Sequence, residues 1–153
     1  MNDMSKRMTM QRDAMPVHRQ SIRVYIEDTD AGGIVYYANY LKFAERARTD
    51  MLRDLGVSHA EMIKCDGLVL VVRRCEIDYL KPARLDDLLT IETEAAKIGG
   101  ASIDLRQRVL RAREVLAELK VLVVCIGRDG RPTRIPNSVR GALPRAQQSE
   151  TQV

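Results

Sequence analysis

Tyr25-Ile26-Glu27-Asp28-Thr29-Asp30-Ala31-Gly32-Gly33-Ile34-Val35-Tyr36-Tyr37 joins two stretches of different hydrophobic period. Upstream, Ile22, Val24 and Ile26 alternate with Arg23, Tyr25 and Glu27, the two-residue repeat of a half-buried strand over 20–27. Downstream, Tyr40, Phe43, Ala44, Ala47, Met51 and Leu55 recur at three- and four-residue spacing, with Leu41 and Leu52 widening the stripe. Ala38 or Asn39 marks the start and Gly56 the stop, so the spacing predicts one helix of about four or five turns. Two carboxylates, two glycines and two tyrosines therefore fall where strand gives way to helix.

Beyond that helix, a second short one is predicted over 58–65, and the rest reads as strands. Leu68–Val72 is apolar, and Cys75, Ile77 and Tyr79 then alternate with Glu76 and Asp78 until Pro82. Leu89, Ile91, Thr93 and Ala95 form one strand face. Gly99-Gly100 separates it from Ile103, Leu105, Gln107 and Val109 on the next. Val115–Ile126 is the most apolar stretch and is expected at the centre of the sheet, with a turn at Asp129-Gly130. One early helix and a run of antiparallel strands make an α+β domain, without the repeated crossovers of a doubly wound sheet. The helix covers one sheet face, and so small a domain is expected to bury more surface by forming a homo-oligomer.

The 153 residues suffice for one domain. Residues 1–16 hold five of the seven methionines and end at Pro16, so they read as a leader to a domain over 17–142, with a tail at 143–153. A 45% apolar and 30% charged composition belongs to a folded globular chain, and no apolar run reaches membrane-spanning length. With no secretory signal pattern, the expected location is the cytoplasm. Cys65, Cys75 and Cys125 lack metal-ligand spacing and are expected as buried free thiols; the only histidines are His18 and His59. The net charge of +4 is dispersed rather than gathered in a tract. It fits a phosphate-bearing ligand better than nucleic acid.

Asp30 is the leading catalytic candidate. A carboxylate preceding a glycine turn and a helix start can lie beside main-chain N–H groups, and capping is the plain alternative. Asp28 can be a turn cap or a supporting acid. Gly32 or Gly33 can admit a ligand carbonyl close to the backbone, and Tyr36 and Tyr37 can wall a pocket or pack in the core. Tyr40 fits the apolar helix face. Glu45 either leans toward a cleft or pairs at the surface, and Asp78 and Asp86-Asp87 read as strand or turn acids. No Gly-x-Ser-x-Gly elbow, phosphate-binding glycine loop or cysteine–histidine pair offers a rival.

The span from Tyr25 to Arg48 closely resembles the Tol–Pal-associated branch of hotdog-fold acyl-CoA thioesterases, relatives of the 4-hydroxybenzoyl-CoA thioesterases. Tyr79-Leu80-Lys81-Pro82-Ala83-Arg84-Leu85-Asp86-Asp87 is a second matching block and Val121-Leu122-Val123-Val124-Cys125 a weaker third. The resemblance implies a curved antiparallel sheet wrapped around a long central helix, assembled as dimers or tetramers. It also implies hydrolysis of an acyl thioester at a cleft shared by neighbouring subunits. Asp30 takes the catalytic position, as nucleophile or general base, with Tyr37 beside it; Tyr37 stands where that branch often has histidine and the aromatic-acyl relatives can have tyrosine. Gly32, Gly33, Val35, Tyr36 and Glu45 are the implied substrate-binding positions. No cofactor is implied, coenzyme A being part of the substrate. Arg84, Arg128, Arg131 and Arg134 are candidates for its phosphates. Acyl carrier protein is the alternative carrier; a non-catalytic acyl-thioester adaptor and a hotdog dehydratase are the alternative functions.

Overall fold

The computed structural model describes residues 17–144. The expected leader and all of the expected tail beyond Pro144 lie outside the described residues. Strand β1 is His18–Arg23, helix α1 Asn39–Asp54, and a short α2 at His59–Glu61 runs into a π-helical turn at Met62–Asp66. Then come β2 (Val69–Tyr79), β3 (Leu88–Ile98), β4 (Ser102–Arg111), β5 (Glu114–Ile126) and a short α3 (Asn137–Ala142). The strands form one antiparallel sheet in the order β1-β3-β4-β5-β2. Register shifts between Val72 and Arg74, Ala95 and Lys97, and Val109 and Leu110 add the local twist that curves it.

Helix α1 lies against the concave face. Its apolar stripe of Tyr40, Phe43, Ala44, Ala47, Met51 and Leu52 is buried against Leu89, Ile91, Leu105, Val109, Leu119 and Val121 from the sheet. Gln107 is the polar exception on β4. Its amide donates to the Ala44 carbonyl and Thr93 Oγ1, both 3.0 Å, and its oxygen accepts from Arg48, so burial leaves it satisfied. This sheet wrapped on one helix is the hotdog architecture.

Three local expectations change. β1 stops at Arg23, and Ile26 lies in a 3₁₀ turn at 78% exposure, because the Asp28 carboxylate takes the Tyr25 N–H and Thr29 Oγ1 donates to the Ile26 carbonyl. β5 is interior but not central: the β3–β4–β5 meander puts β4 in the middle. The unbroken apolar run over 121–126 at the end of β5 has a different cause, since residues 133–135 fold back over it, Thr133 N–H donating to the Cys125 carbonyl at 2.8 Å. Of the cysteines only Cys125 is buried; Cys65 sits in the exposed π-helical turn and Cys75 on the outermost strand. Packing also continues to the end of the described chain, where the Pro144 carbonyl accepts from Ala95 N–H at 2.6 Å.

Candidate active site

The segment entering α1 closes as a small hairpin. Asp30 N–H donates to the Ile34 carbonyl (2.9 Å), Gly33 N–H to the Asp30 carbonyl (3.0 Å), and Tyr36 N–H to the Asp28 carbonyl (2.9 Å). Gly33 has φ +77°, a conformation that a side chain would strain. Asn39, the first residue of α1, donates its side-chain amide to the same Asp28 carbonyl, tying the helix start to the turn. Asp28 itself is buried and spends its carboxylate on Tyr25 N–H, so it is a structural acid.

Asp30 is exposed at the head of this turn. Its Oδ1 accepts the Gly32 N–H at 2.8 Å, while Oδ2 has no partner among the described residues. Helix α1 carries no side-chain cap and no acidic residue in its first turn. The N–H groups of Tyr37 and Ala38 have no acceptor among the described residues. They belong to the positive end of a 16-residue helix, where an anionic oxygen is favoured. A carboxylate with one free oxygen thus stands in the turn that leads into unfilled donors.

Aromatic rings hold that geometry. Tyr79 Oη donates to the Tyr37 carbonyl at 2.9 Å, which fixes the peptide plane carrying the Ala38 N–H. Tyr37 is 62% exposed and meets Tyr36 edge-on at 4.8 Å and Tyr79 at 6.3 Å. Tyr40 is buried, its Oη accepting the Ala83 N–H at 3.0 Å, and burial raises its phenol above the usual range. The sequence puts Tyr79 on a strand face and at the head of the second matching block, with no site role. Its contact to Tyr37 spans 42 positions, and no local pattern signals it.

The 80–87 segment braces the turn from behind. Val35 N–H donates to the Ala83 carbonyl at 2.9 Å and Ile34 bridges Arg84, which makes Arg84 the candidate phosphate-binding arginine carried beside the site. Asp87 accepts from Arg84 N–H and from Arg111, both at 2.8 Å, so it is the turn acid the sequence suggested.

Asp30, Gly32, Gly33, Tyr36 and Tyr37 are therefore assembled together. Val35 is placed with them but faces the core at 3% exposure, where it packs rather than lining an open surface. Glu45 is brought elsewhere. It lines a cavity of about 490 Å³ between α1 and the sheet, walled by Leu41, Leu52, Leu105, Val121 and Val123, with Arg48, His59 and Cys75 among its polar lining. Neither Asp30 nor Tyr37 of the same chain lines it. Among the described residues no three His, Cys, Asp or Glu side chains are grouped to hold a metal ion. Nor is any helix among them long and apolar enough to cross a membrane.

Known proteins are similar to this chain over the span that holds the turn and its scaffold. The chain is 43% identical over 123 residues to the Haemophilus influenzae acyl-CoA thioesterase YbgC, covering 80% of this chain and 90% of that protein. It is 44% identical to the Escherichia coli acyl-CoA thioester hydrolase YbgC, covering 79% and 91%. The crystal structure of a probable thioesterase from Bartonella henselae superposes with a TM-score of 0.76 at 39% identity, over 79% of this chain and all of that one. The family described as the thioesterase-like superfamily matches residues 24–143. That span takes in the glycine turn, α1 and every strand except β1, so the likeness covers the site together with its support, and the chain belongs to the thioesterase-like superfamily.

Proposed function

We propose that this protein hydrolyses acyl-CoA thioesters, releasing a free acid and coenzyme A, with Asp30 acting on the acyl carbon. The observation that carries this reading is the free Asp30 Oδ2 in the turn that runs into the unpaired N–H groups of Tyr37 and Ala38. A thioester carbonyl seated on those donors gains stabilisation as its oxygen becomes anionic. Asp30 then either attacks the acyl carbon, expelling the thiolate and leaving a mixed anhydride for water to cleave, or takes a proton from the attacking water. Tyr36 and Tyr37 form the aromatic ledge beside the thioester. No cofactor enters either route. The names of the YbgC relatives support the substrate class.

The reading also requires a second copy. β2 is an outer strand of 11 residues, paired only to β5 and exposing Val69, Val72 and Tyr79. So long an edge, with unpaired backbone groups and exposed apolar side chains at both ends, can take a partner strand. Antiparallel pairing of β2 with itself about its middle sets Tyr79 of the partner subunit, and with it that copy's Asp30 turn, near Val69. Leu70, Val71 and Val72, the adjoining residues, wall the cavity in this copy. Dimerisation thus joins a carboxylate from one chain to an acyl-sized cavity in the other.

Thiol release is to be measured across short, long and aromatic acyl-CoA substrates, with the acid product followed in parallel. Asp30→Asn should retain its fold and lose about 100-fold or more in kcat. Full turnover by that folded variant would sink the Asp30 assignment. Saturable binding without thiol release from any substrate would point to an adaptor instead. In a single turnover in isotope-labelled water, label in the Asp30 carboxyl marks an anhydride cleaved at the aspartyl carbon, whereas label confined to the product acid is expected both of general-base catalysis and of anhydride cleavage at the acyl carbon.

A further inference from the structure

His59 Nε2 is buried and has no hydrogen-bond partner among the described residues, yet its ring lines the cavity under α1. An unpaired buried nitrogen forfeits its bond to water without replacement, so native proteins rarely keep one without a use. The rest of that lining narrows the use. Its walls are mainly aliphatic, and a volume of about 490 Å³ falls among ordinary small-molecule sites. Along α1 the lining runs from Leu41 to Leu52, about 16 Å at the helical rise per residue.

Of the charged groups in the lining, Arg48 is committed to a protein partner and Glu45 is exposed to water. Arg48 donates to Gln107 Oε1 at 2.9 Å; burial lowers its pKa from the usual arginine range, while Glu45 works in the opposite direction. Glu45 and Arg48 carry opposite charges, so the lining has no net charge to attract a carboxylate-ended ligand. Among the side-chain nitrogens and oxygens of the lining, His59 Nε2 is the one both buried and without a partner. A hydroxyl suits it better than a carbonyl, because a hydroxyl both donates and accepts and so pairs with Nε2 in either imidazole tautomer.

We infer that this cavity takes the acyl group of the substrate and that His59 selects acyl groups bearing a hydroxyl, through a hydrogen bond at Nε2. The inference rests on the thioesterase reading for its substrate, but the binding step is separable from hydrolysis. A plain acyl chain fills the same aliphatic walls and leaves Nε2 unpaired, which is the usual way a site built for a hydroxyl rejects an analogue lacking one.

The test compares matched pairs: octanoyl-CoA against its 3-hydroxy and 8-hydroxy forms, and benzoyl-CoA against 4-hydroxybenzoyl-CoA. Dissociation constants are measured by calorimetry on the full-length Asp30→Asn protein, and kcat/KM on the wild type. At least one hydroxylated member should be favoured about tenfold or more in both measurements. Adding His59→Leu should collapse that ratio toward one. His59→Gln, which keeps a hydrogen-bonding side chain, should retain most of it and controls for a folding defect in the leucine variant. A ratio near one in the wild type for every pair, or an unchanged ratio in His59→Leu, would overturn the role of His59. Selective binding without thiol release would defeat the thioesterase reading alone.

Discussion

At Gly32 an added Cβ would stand 3.1 Å from Asp30 Oδ1, closer than most real Cβ contacts. That carboxylate is held by a single hydrogen bond to the Gly32 N–H, so a methyl group at this position displaces the oxygen it is bonded to. Gly32→Ala should therefore reduce kcat by about tenfold or more through misplacement of the reacting group. Because the residue is exposed and φ is not positive there, the thermal midpoint should move little. Steady-state kinetics and a melting curve on the same preparation check this, and an unchanged kcat would mean the carboxylate does not need its Gly32 contact. Asp30 and its turn were legible in the sequence because their partners lie within a few positions. Tyr79 was not, and neither was His59, whose interest comes from a cavity assembled out of α1, β2, β4 and β5.

Among the elements, the 80–87 segment decides how firmly the turn is held. Arg111 on β4 donates to Asp87 at 2.8 Å and Glu114 at 3.0 Å, and Lys81 bonds Glu114 at 2.8 Å. Burial alone would raise the Asp87 carboxyl, but the Arg111 guanidinium and the Arg84 N–H outweigh it and hold the group below its ordinary range. Lys81 and then Arg111 lower Glu114 in the same way. A folded pKa below the unfolded one contributes stability above the unfolded value, at roughly pH 4, and loses it as pH falls through the folded value. Arg111→Ala should accordingly shift acid unfolding, followed by circular dichroism, to higher pH; an unmoved acid midpoint would show that the network does not hold the segment. The strands themselves were readable from alternation, β4 most clearly, since Ile103, Leu105, Gln107 and Val109 all face inward. The order of strands was not, because hairpin connectivity rather than apolar content put β4 at the centre. The end of β1 was missed for a different reason: the side-chain bonds of Asp28 and Thr29 capture backbone groups that alternation would have assigned to the ladder.

For the whole molecule, the separation of Asp30 from the cavity within one chain is the feature with the widest consequence. If each site combines the Asp30 turn of one copy with the cavity of another, two inactive chains can repair one another. Asp30→Asn lacks the carboxylate but keeps the cavity. Thr49→Trp keeps the carboxylate and fills the cavity, whose lining includes the half-buried Thr49 on α1. In a dimer of one chain of each kind, one site inherits both defects and the other inherits neither. Refolding the two variants together in equal amounts should place half of all dimers in this mixed form, and so restore about one quarter of wild-type activity. Sites complete within one chain predict no recovery at any mixing ratio. Val69→Lys supplies the matching control, because Val69 is 37% exposed on the outer strand β2, lies outside the cavity lining, and a lysine on an edge strand opposes strand addition. Light scattering should find Val69→Lys monomeric and folded, with acyl-CoA hydrolysis lost although Asp30 and the cavity are both intact. A monomer retaining full activity would place the complete site in one copy and remove the reason for the second.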